Sequence, residues 1–154
     1  MLLRGLGRME IIRITDDAGA VVAPDWLARA EAVHRQLRER LPPGYAGVLR
    51  RVFAGGGRMV VAAEGGAVAG VAVYRIHENT HAGVQLYVDD LVTDAAQRSR
   101  GVGRALLDWL ARHGRERGCE LLALDSGTQR TRAHAFYFRE GMPITAFHFS
   151  RRLG

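Results

Sequence analysis

Two hydrophobic periods alternate along this chain, and the switches between them predict its elements. Residues 10–15 (E-I-I-R-I-T) read as a first strand. Pro24 suits a first helical position and Asp25 a first turn. Leu27, Ala30, His34, Leu37 and Leu41 then recur at helical spacing until Pro42-Pro43-Gly44 ends the run. Residues 45–53 suit a second, short helix before the Gly55-Gly56-Gly57 turn. Apolar runs over 58–64 and 67–77 flank Gly65-Gly66, which signals a hairpin. A polar loop over 78–83 leads into a fourth strand over 84–93. Residues 101–117 read as a helix with Val102, Leu106, Trp109, Leu110 and His113 on one face, and Gly118 suits its C-terminal cap. A short buried strand over 120–125, a helix over 130–140 and a final strand over 144–152 follow. The order β-α-α-β-β-β-α-β-α-β predicts an α/β (α+β) fold, a mixed sheet with helices on it rather than a doubly wound array.

The fourth strand breaks its own alternation. Leu86 and Val88 share a face, yet the next apolar residue, Leu91, falls on the other. A β-bulge at Asp89-Asp90 reconciles the halves, and a bulge frees backbone N–H groups and splays a strand from its neighbour. Two adjacent carboxylates in an apolar strand are costly unless they are solvated or used. The plain alternative is a strand end at which both aspartates meet solvent.

Beyond Thr93 the chain reads D-A-A-Q-R-S-R-G-V-G-R-A-L-L, a basic glycine-bearing turn that opens straight into a helix. Such a junction aims backbone N–H groups and a positive dipole end at one spot, which suits an anion. Arg98, Arg100 and Arg104 add fixed charge, and Gly101 and Gly103 allow close backbone approach. A P-loop is excluded because it requires a lysine, and all 22 basic residues here are arginine. A dinucleotide fingerprint fails because Leu106 stands where its third small residue belongs. A tight turn with a solvated basic rim is the plain alternative.

Composition narrows the class. One domain is the simplest reading of 154 residues, 47% of them apolar and 25% charged. The net charge of +6 favours an anionic partner. The single cysteine, Cys119, excludes an internal disulfide framework and a Cys-based zinc cluster, and fits a reducing cytoplasmic setting. No apolar run approaches the ~20 residues of a membrane span. Residues 1–8 are too short and broken for a signal peptide, and Met9 is a second possible start, with 1–8 a disordered tail. His77, Glu78 and His81 share the polar loop, and loop polarity accounts for them better than a metal site does.

Taken together, these residues resemble the GCN5-related N-acetyltransferases (GNAT family) over roughly 58–152. Arg98-x-x-Gly101-x-Gly103 is similar to that family's pyrophosphate motif. Ser99 stands where a variant of the motif carries glycine, and serine fits there if its φ is negative. Residues 133–142 (A-H-A-F-Y-F-R-E-G-M) are similar to the family's A-x-x-F-Y-x-x-x-G-F segment, with Met142 replacing the last aromatic. Arg130 stands where the family commonly has an asparagine.

The resemblance implies a GNAT-like, mostly antiparallel sheet splayed at strands 4 and 5, and acetyl-CoA as donor with no metal. The N–H groups of Ser99, Arg100, Gly101, Val102, Gly103 and Arg104, with the Arg98 side chain, would cradle the pyrophosphate. The backbone of Leu91, Val92 and Thr93 would meet the pantetheine arm. Tyr137 is carried over as general acid, Asp89 as general base through water, and Asp90 as a base or a ligand for the substrate ammonium. The acceptor is then a small-molecule primary amine, cationic rather than acidic, attacked directly in a ternary complex. No nucleic-acid or membrane partner is implied, and a homodimer would cover a sheet edge left by the single strand after the Phe-Tyr helix. Two other readings stay open: a non-catalytic acyl-CoA sensor, and a basic nucleic-acid-binding module, although no helix-turn-helix or stacking-sheet signature supports the latter.

Overall fold

The structure, a computed structural model, describes residues 8–154. The expected tail over 1–8 falls outside them except for Arg8. The chain divides into two compact units, Met1–Ala123 and Leu124–Gly154.

The first unit carries β1 (Glu10–Arg13), α1 (Pro24–Leu37), α2 (Tyr45–Ala54), β2 (Arg58–Glu64), β3 (Ala67–Asn79), β4 (Gly83–Thr93), a 3-10 turn (Ala95–Gln97) and α3 (Val102–Glu116). β5 (Leu121–Leu124) runs to the unit boundary and α4 (Thr131–Arg139) lies in the second unit. The sheet order is β1-β2-β3-β4-β5. The first four strands are antiparallel neighbours, and β5 joins β4 in parallel. The expected mixed, mostly antiparallel architecture is therefore present.

Local chemistry explains the joints. Pro24 starts α1 at a position whose N–H needs no intrahelical partner. Gly65 and Gly66 turn the β2–β3 hairpin with φ of +58° and +80°, the left-handed pair that a two-residue turn demands. α1 stops at Leu37, one turn before the proline pair, so Leu41 packs from a loop. β3 runs to Asn79 and β4 begins at Gly83, so the polar loop is shorter than the sequence implies, and His77 and Glu78 belong to a strand.

The sheet of the first unit is covered on both faces. Leu27, Ala30 and Val33 of α1 and Leu49 and Phe53 of α2 pack with Met59, Val61, Val71 and Val73 in one buried cluster. Val102 and Leu106 of α3 stand over Gly70 on the opposite face, and Trp109 and His113 meet the Tyr74 ring edge-on.

Two expectations fail near the C-terminal end. β5 was expected to be buried, but none of its four apolar residues is. No strand forms over residues 144–152, which are irregular and exposed. A strand exists only where a neighbour completes its ladder, and among the described residues none pairs with this segment.

Candidate active site

β4 contains the expected bulge. Val73 pairs with Asp90 while Tyr74 pairs with Val88, so Asp89 is the extra residue. The insertion switches the faces: Leu91 pairs with Ala72 on the α3 side, whereas Asp90 and Val92 pair with Val73 and Val71 on the α1 side. One added residue thus keeps Leu86, Val88 and Leu91 on one face and turns Asp90 toward α1.

Neither carboxylate is left bare. Asp89 Oδ2 accepts from Arg75 Nε at 2.9 Å, and Arg75 also donates to the Gly55 carbonyl. Asp90 Oδ2 lies 2.8 Å from His34 Nε2, and its Oδ1 accepts from Arg38 Nε at 2.6 Å. Burial pushes the Asp90 carboxyl up, but the His34 hydrogen bond and the Arg38 charge outweigh it and hold it below the usual carboxylate range. His34 is almost wholly buried, and its Nδ1 lies 2.8 Å from the Tyr45 hydroxyl. A neutral ring satisfies both partners: Nε2–H donates to Asp90, and Nδ1 accepts from Tyr45. Burial raises the Tyr45 phenol far above its ordinary pKa, which keeps that proton in place. Asp89 is the more open carboxylate, with 27% of its side chain exposed against 14% for Asp90.

β4 then runs into the basic turn through a clamp. Gln36 of α1 donates to Asp94 Oδ1 at 3.0 Å and accepts from the Ala95 N–H at 2.9 Å. Asp94 also caps the 3-10 turn by accepting from the Ala96 N–H. Ser99 adopts φ +64° and Gly101 φ +79°. The expectation of a negative φ at Ser99 is therefore wrong; the turn uses the left-handed region there, which explains why glycine suits this position. A Cβ at Gly101 would meet nothing within 4 Å, so glycine serves its backbone conformation rather than space.

α3 starts at Val102 with Gly101 as N-cap and no side-chain cap. The N–H groups of Val102 and Gly103 have no intrahelical carbonyl to meet, as at any helix start. Arg100 reaches back to Gln97 Oε1 at 2.6 Å. These groups, with the Arg98 side chain, form a donor-rich, positively charged turn that fits an anion such as a pyrophosphate.

In the second unit, α4 carries Tyr137, half-buried beside Phe136 with ring centroids 5.4 Å apart. Burial raises the phenol above its ordinary pKa, more than Arg130 lowers it, so it stays protonated at neutral pH. His134 Nε2 lies 2.8 Å from the Gly127 carbonyl, which ties the helix start to the loop before it. Asp125 pairs with His148 at 2.8 Å, and the Ser126 Oγ is enclosed without a hydrogen-bond partner among the described residues. No group of three metal-binding side chains occurs among the described residues, His77, Glu78 and His81 included; His77 instead lies 3.0 Å from Gln85 Nε2.

The first unit therefore strings together Asp89, Asp90, Leu91, Val92, Thr93 and the turn from Arg98 to Arg104. Sequence reasoning missed His34, Gln36, Arg38, Tyr45 and Arg75 as their supports. The one available signal was a histidine on an apolar helix face with an arginine one turn later.

The acetyltransferase (GNAT) family model matches residues 24–142. The chain belongs to the GNAT family. An uncharacterized N-acetyltransferase of Bacillus subtilis (strain 168), YhdJ, is 40% identical over 72 residues, 46% of this chain and 51% of that protein. The aminoalkylphosphonate N-acetyltransferase of Salmonella typhimurium is 35% identical over 66 residues, 43% of each chain. The matched segments thus span about half the length of these two GNAT relatives. Among solved structures, the aminoglycoside N-acetyltransferase AAC(6')-Iy in complex with CoA superposes with a TM-score of 0.81 over 99% of both chains at 19% identity, a likeness of fold.

Proposed function

We propose that this GNAT chain is an acetyl-CoA-dependent N-acetyltransferase that moves the acetyl group to a primary amine by direct attack in a ternary complex. The observation that carries the reading is the run from the β4 bulge into the uncapped, arginine-rich start of α3. The N–H groups from Ser99 to Arg104 would hold the pyrophosphate, and Leu91, Val92 and Thr93 would present backbone to the pantetheine amides. The amine nitrogen forms a bond to the thioester carbonyl carbon as the carbon–sulfur bond breaks. Tyr137 is the proton donor to the departing sulfur, a role suited to a phenol that burial keeps protonated.

Asp89 is the proposed base, receiving the amine proton through water. Its greater exposure supports this role, although Arg75 makes it a weaker proton acceptor than a free carboxylate. Asp90 has both oxygens engaged and is better placed to fix the bulge than to take a proton. The acceptor we propose is a small cationic amine that meets Asp89, the more open carboxylate, with Arg75 offsetting part of its charge. The aminoglycoside named for one neighbour agrees with that class, whereas the aminoalkylphosphonate named for one relative is an amine that also carries an acidic phosphonate. No helix among the described residues is long and apolar enough to cross a membrane; a cytoplasmic setting goes with the single cysteine.

Thiol release from acetyl-CoA, measured against a panel of small amines, tests the reading. Wild-type protein should release thiol with at least one amine. Tyr137→Phe should lose most of that turnover while still binding acetyl-CoA. Binding without turnover on any amine would favour a sensor, and unchanged turnover in Tyr137→Phe would remove that residue from the chemistry.

A further inference from the structure

Two guanidinium groups grip the extra residue of the β4 bulge from opposite ends. Arg38 meets Asp90 Oδ1 through Nε at 2.6 Å and through Nη2, and the same Nη2 donates to the Asp89 carbonyl at 3.0 Å. Arg75 meets Asp89 Oδ2 through Nε at 2.9 Å and through Nη2 at 2.8 Å, and its Nη1 donates to the Gly55 carbonyl. With His34 neutral, these two carboxylates and two guanidinium groups carry no net charge. The cluster lies wholly within the unit Met1–Ala123.

Two polar groups in it stay open. Both contacts from Arg75 fall on Oδ2 of Asp89, so Oδ1 has no partner among the described residues. Arg38 uses Nε and Nη2, so its Nη1, with two N–H donors, has none among them either. That side chain is 51% exposed. Nη1 adds nothing to the pairing with Asp90, which Nε, Nη2 and His34 complete. A free carboxylate oxygen and a free cationic donor thus stand beside one bulge residue.

We propose that the acceptor is a zwitterion, a short primary amine with an acid group at its far end, its amine end at Asp89 Oδ1 and its acid end at Arg38 Nη1. This inference rests on the acetyltransferase reading above and names its substrate class. Each end of such a molecule gains a charge-assisted hydrogen bond. A diamine meets one open carboxylate and then a like charge. A plain alkylamine leaves Nη1 to water.

Thiol release from acetyl-CoA by the full chain tests the class. Glycine, β-alanine and γ-aminobutyrate are each compared with the methyl-ended and ammonium-ended amines of the same chain length. At least one acid-ended amine should exceed both counterparts in kcat/KM by about tenfold, the effect of a single hydrogen bond to a charged group. Arg38→Gln should raise KM for that amine by about the same factor and, by leaving Asp90 less neutralised, move the preference toward the ammonium-ended amine. Arg38→Lys keeps the charge and should keep the wild-type order. Circular dichroism checks that both variants fold, and the wild-type order is read without any substitution. A wild type that prefers the methyl-ended or ammonium-ended amines overturns the proposal and leaves acetyl transfer standing. So does an acid-end preference that survives in folded Arg38→Gln. Absence of thiol release with every amine overturns the acetyltransferase reading and the proposal with it.

Discussion

Replacing Gly70 by alanine tests how tightly α3 is seated on the sheet. A Cβ there would lie 2.7 Å from Val102 Cγ1, 2.9 Å from Leu106 Cδ1 and 3.1 Å from the Val92 carbonyl oxygen. Two of these distances are shorter than carbon atoms tolerate. Val102 is β-branched and buried, Leu106 is wholly buried, and the third neighbour is backbone, so none yields at little cost. Overpacking of this kind costs about 1–3 kcal/mol. The loss of glycine's freedom in the unfolded chain returns about 0.4–1 kcal/mol. The expected net destabilisation is therefore about 0–2.6 kcal/mol, centred on roughly 1.3 kcal/mol, or a few degrees in Tm at roughly 2–4 °C per kcal/mol for a chain of this size.

The same clash pushes on the first turn of α3, which follows the basic turn. Acetyl-CoA affinity should fall in Gly70→Ala along with the stability. Adding Leu106→Ala should recover part of the affinity by opening room, although it adds its own cavity cost. Urea titration gives the first quantity and calorimetric titration with acetyl-CoA the second. An alanine variant with wild-type stability and wild-type affinity would refute the claim that close approach at Gly70 sets the position of α3.

Three further predictions address the supports of the site and the fold. Ser99→Gly should stabilise the chain: a left-handed non-glycine residue costs about 1–2 kcal/mol, against about 0.5–1 kcal/mol for glycine's extra entropy, and a lower urea midpoint would contradict the strained turn. Tyr45→Phe leaves His34 Nδ1 buried without its donor and should cost about 1–3 kcal/mol, with a reduced kcat if the network fixes the bulge; a silent variant would show that it does not. Acidification should destabilise the fold in two steps. Burial, aided by Arg13, lowers the His113 pKa below 6.5, so the unfolded chain binds that proton first and stability drops as pH falls below about 6.5. The 3.8 Å approach of His113 to Asp17 does not reverse this, because Arg13 and Arg117 already hold that carboxylate. Asp90, held low by His34 and Arg38 against the opposing effect of burial, adds stability that is lost as pH falls below 3.8. Thermal melts across pH should show both steps, and His113→Phe should abolish the upper one.

Much of this arrangement was legible in the sequence because it is written in local periods. The break in alternation between Val88 and Leu91 located the bulge, since a one-residue insertion is the one local device that restores the face. Gly101 before an amphipathic run located the start of α3. What stayed hidden depends on partners distant along the chain. His34 looked like one more position on a helix face; only folding sets its ring between Tyr45 and Asp90. The arginines that neutralise the aspartates, Arg38 and Arg75, come from different elements, and nothing in their spacing announces them. Ser99 misled because serine is a poor marker of positive φ. The strand over 144–152 has the right pattern, but pattern confers the capacity to pair and not the partner.

The central claim is that the β4 bulge, the basic turn and α3 make an acetyl-CoA site, and ligand-induced stabilisation tests it most directly. Thermal unfolding of the full chain should be followed with and without acetyl-CoA at about 100 times its Kd. A single site predicts about 2.7 kcal/mol of added stability, read as a rise of several degrees in Tm, and a smaller rise when Arg98 and Arg104 are both replaced by alanine. A Tm that saturating acetyl-CoA leaves unmoved would contradict the account.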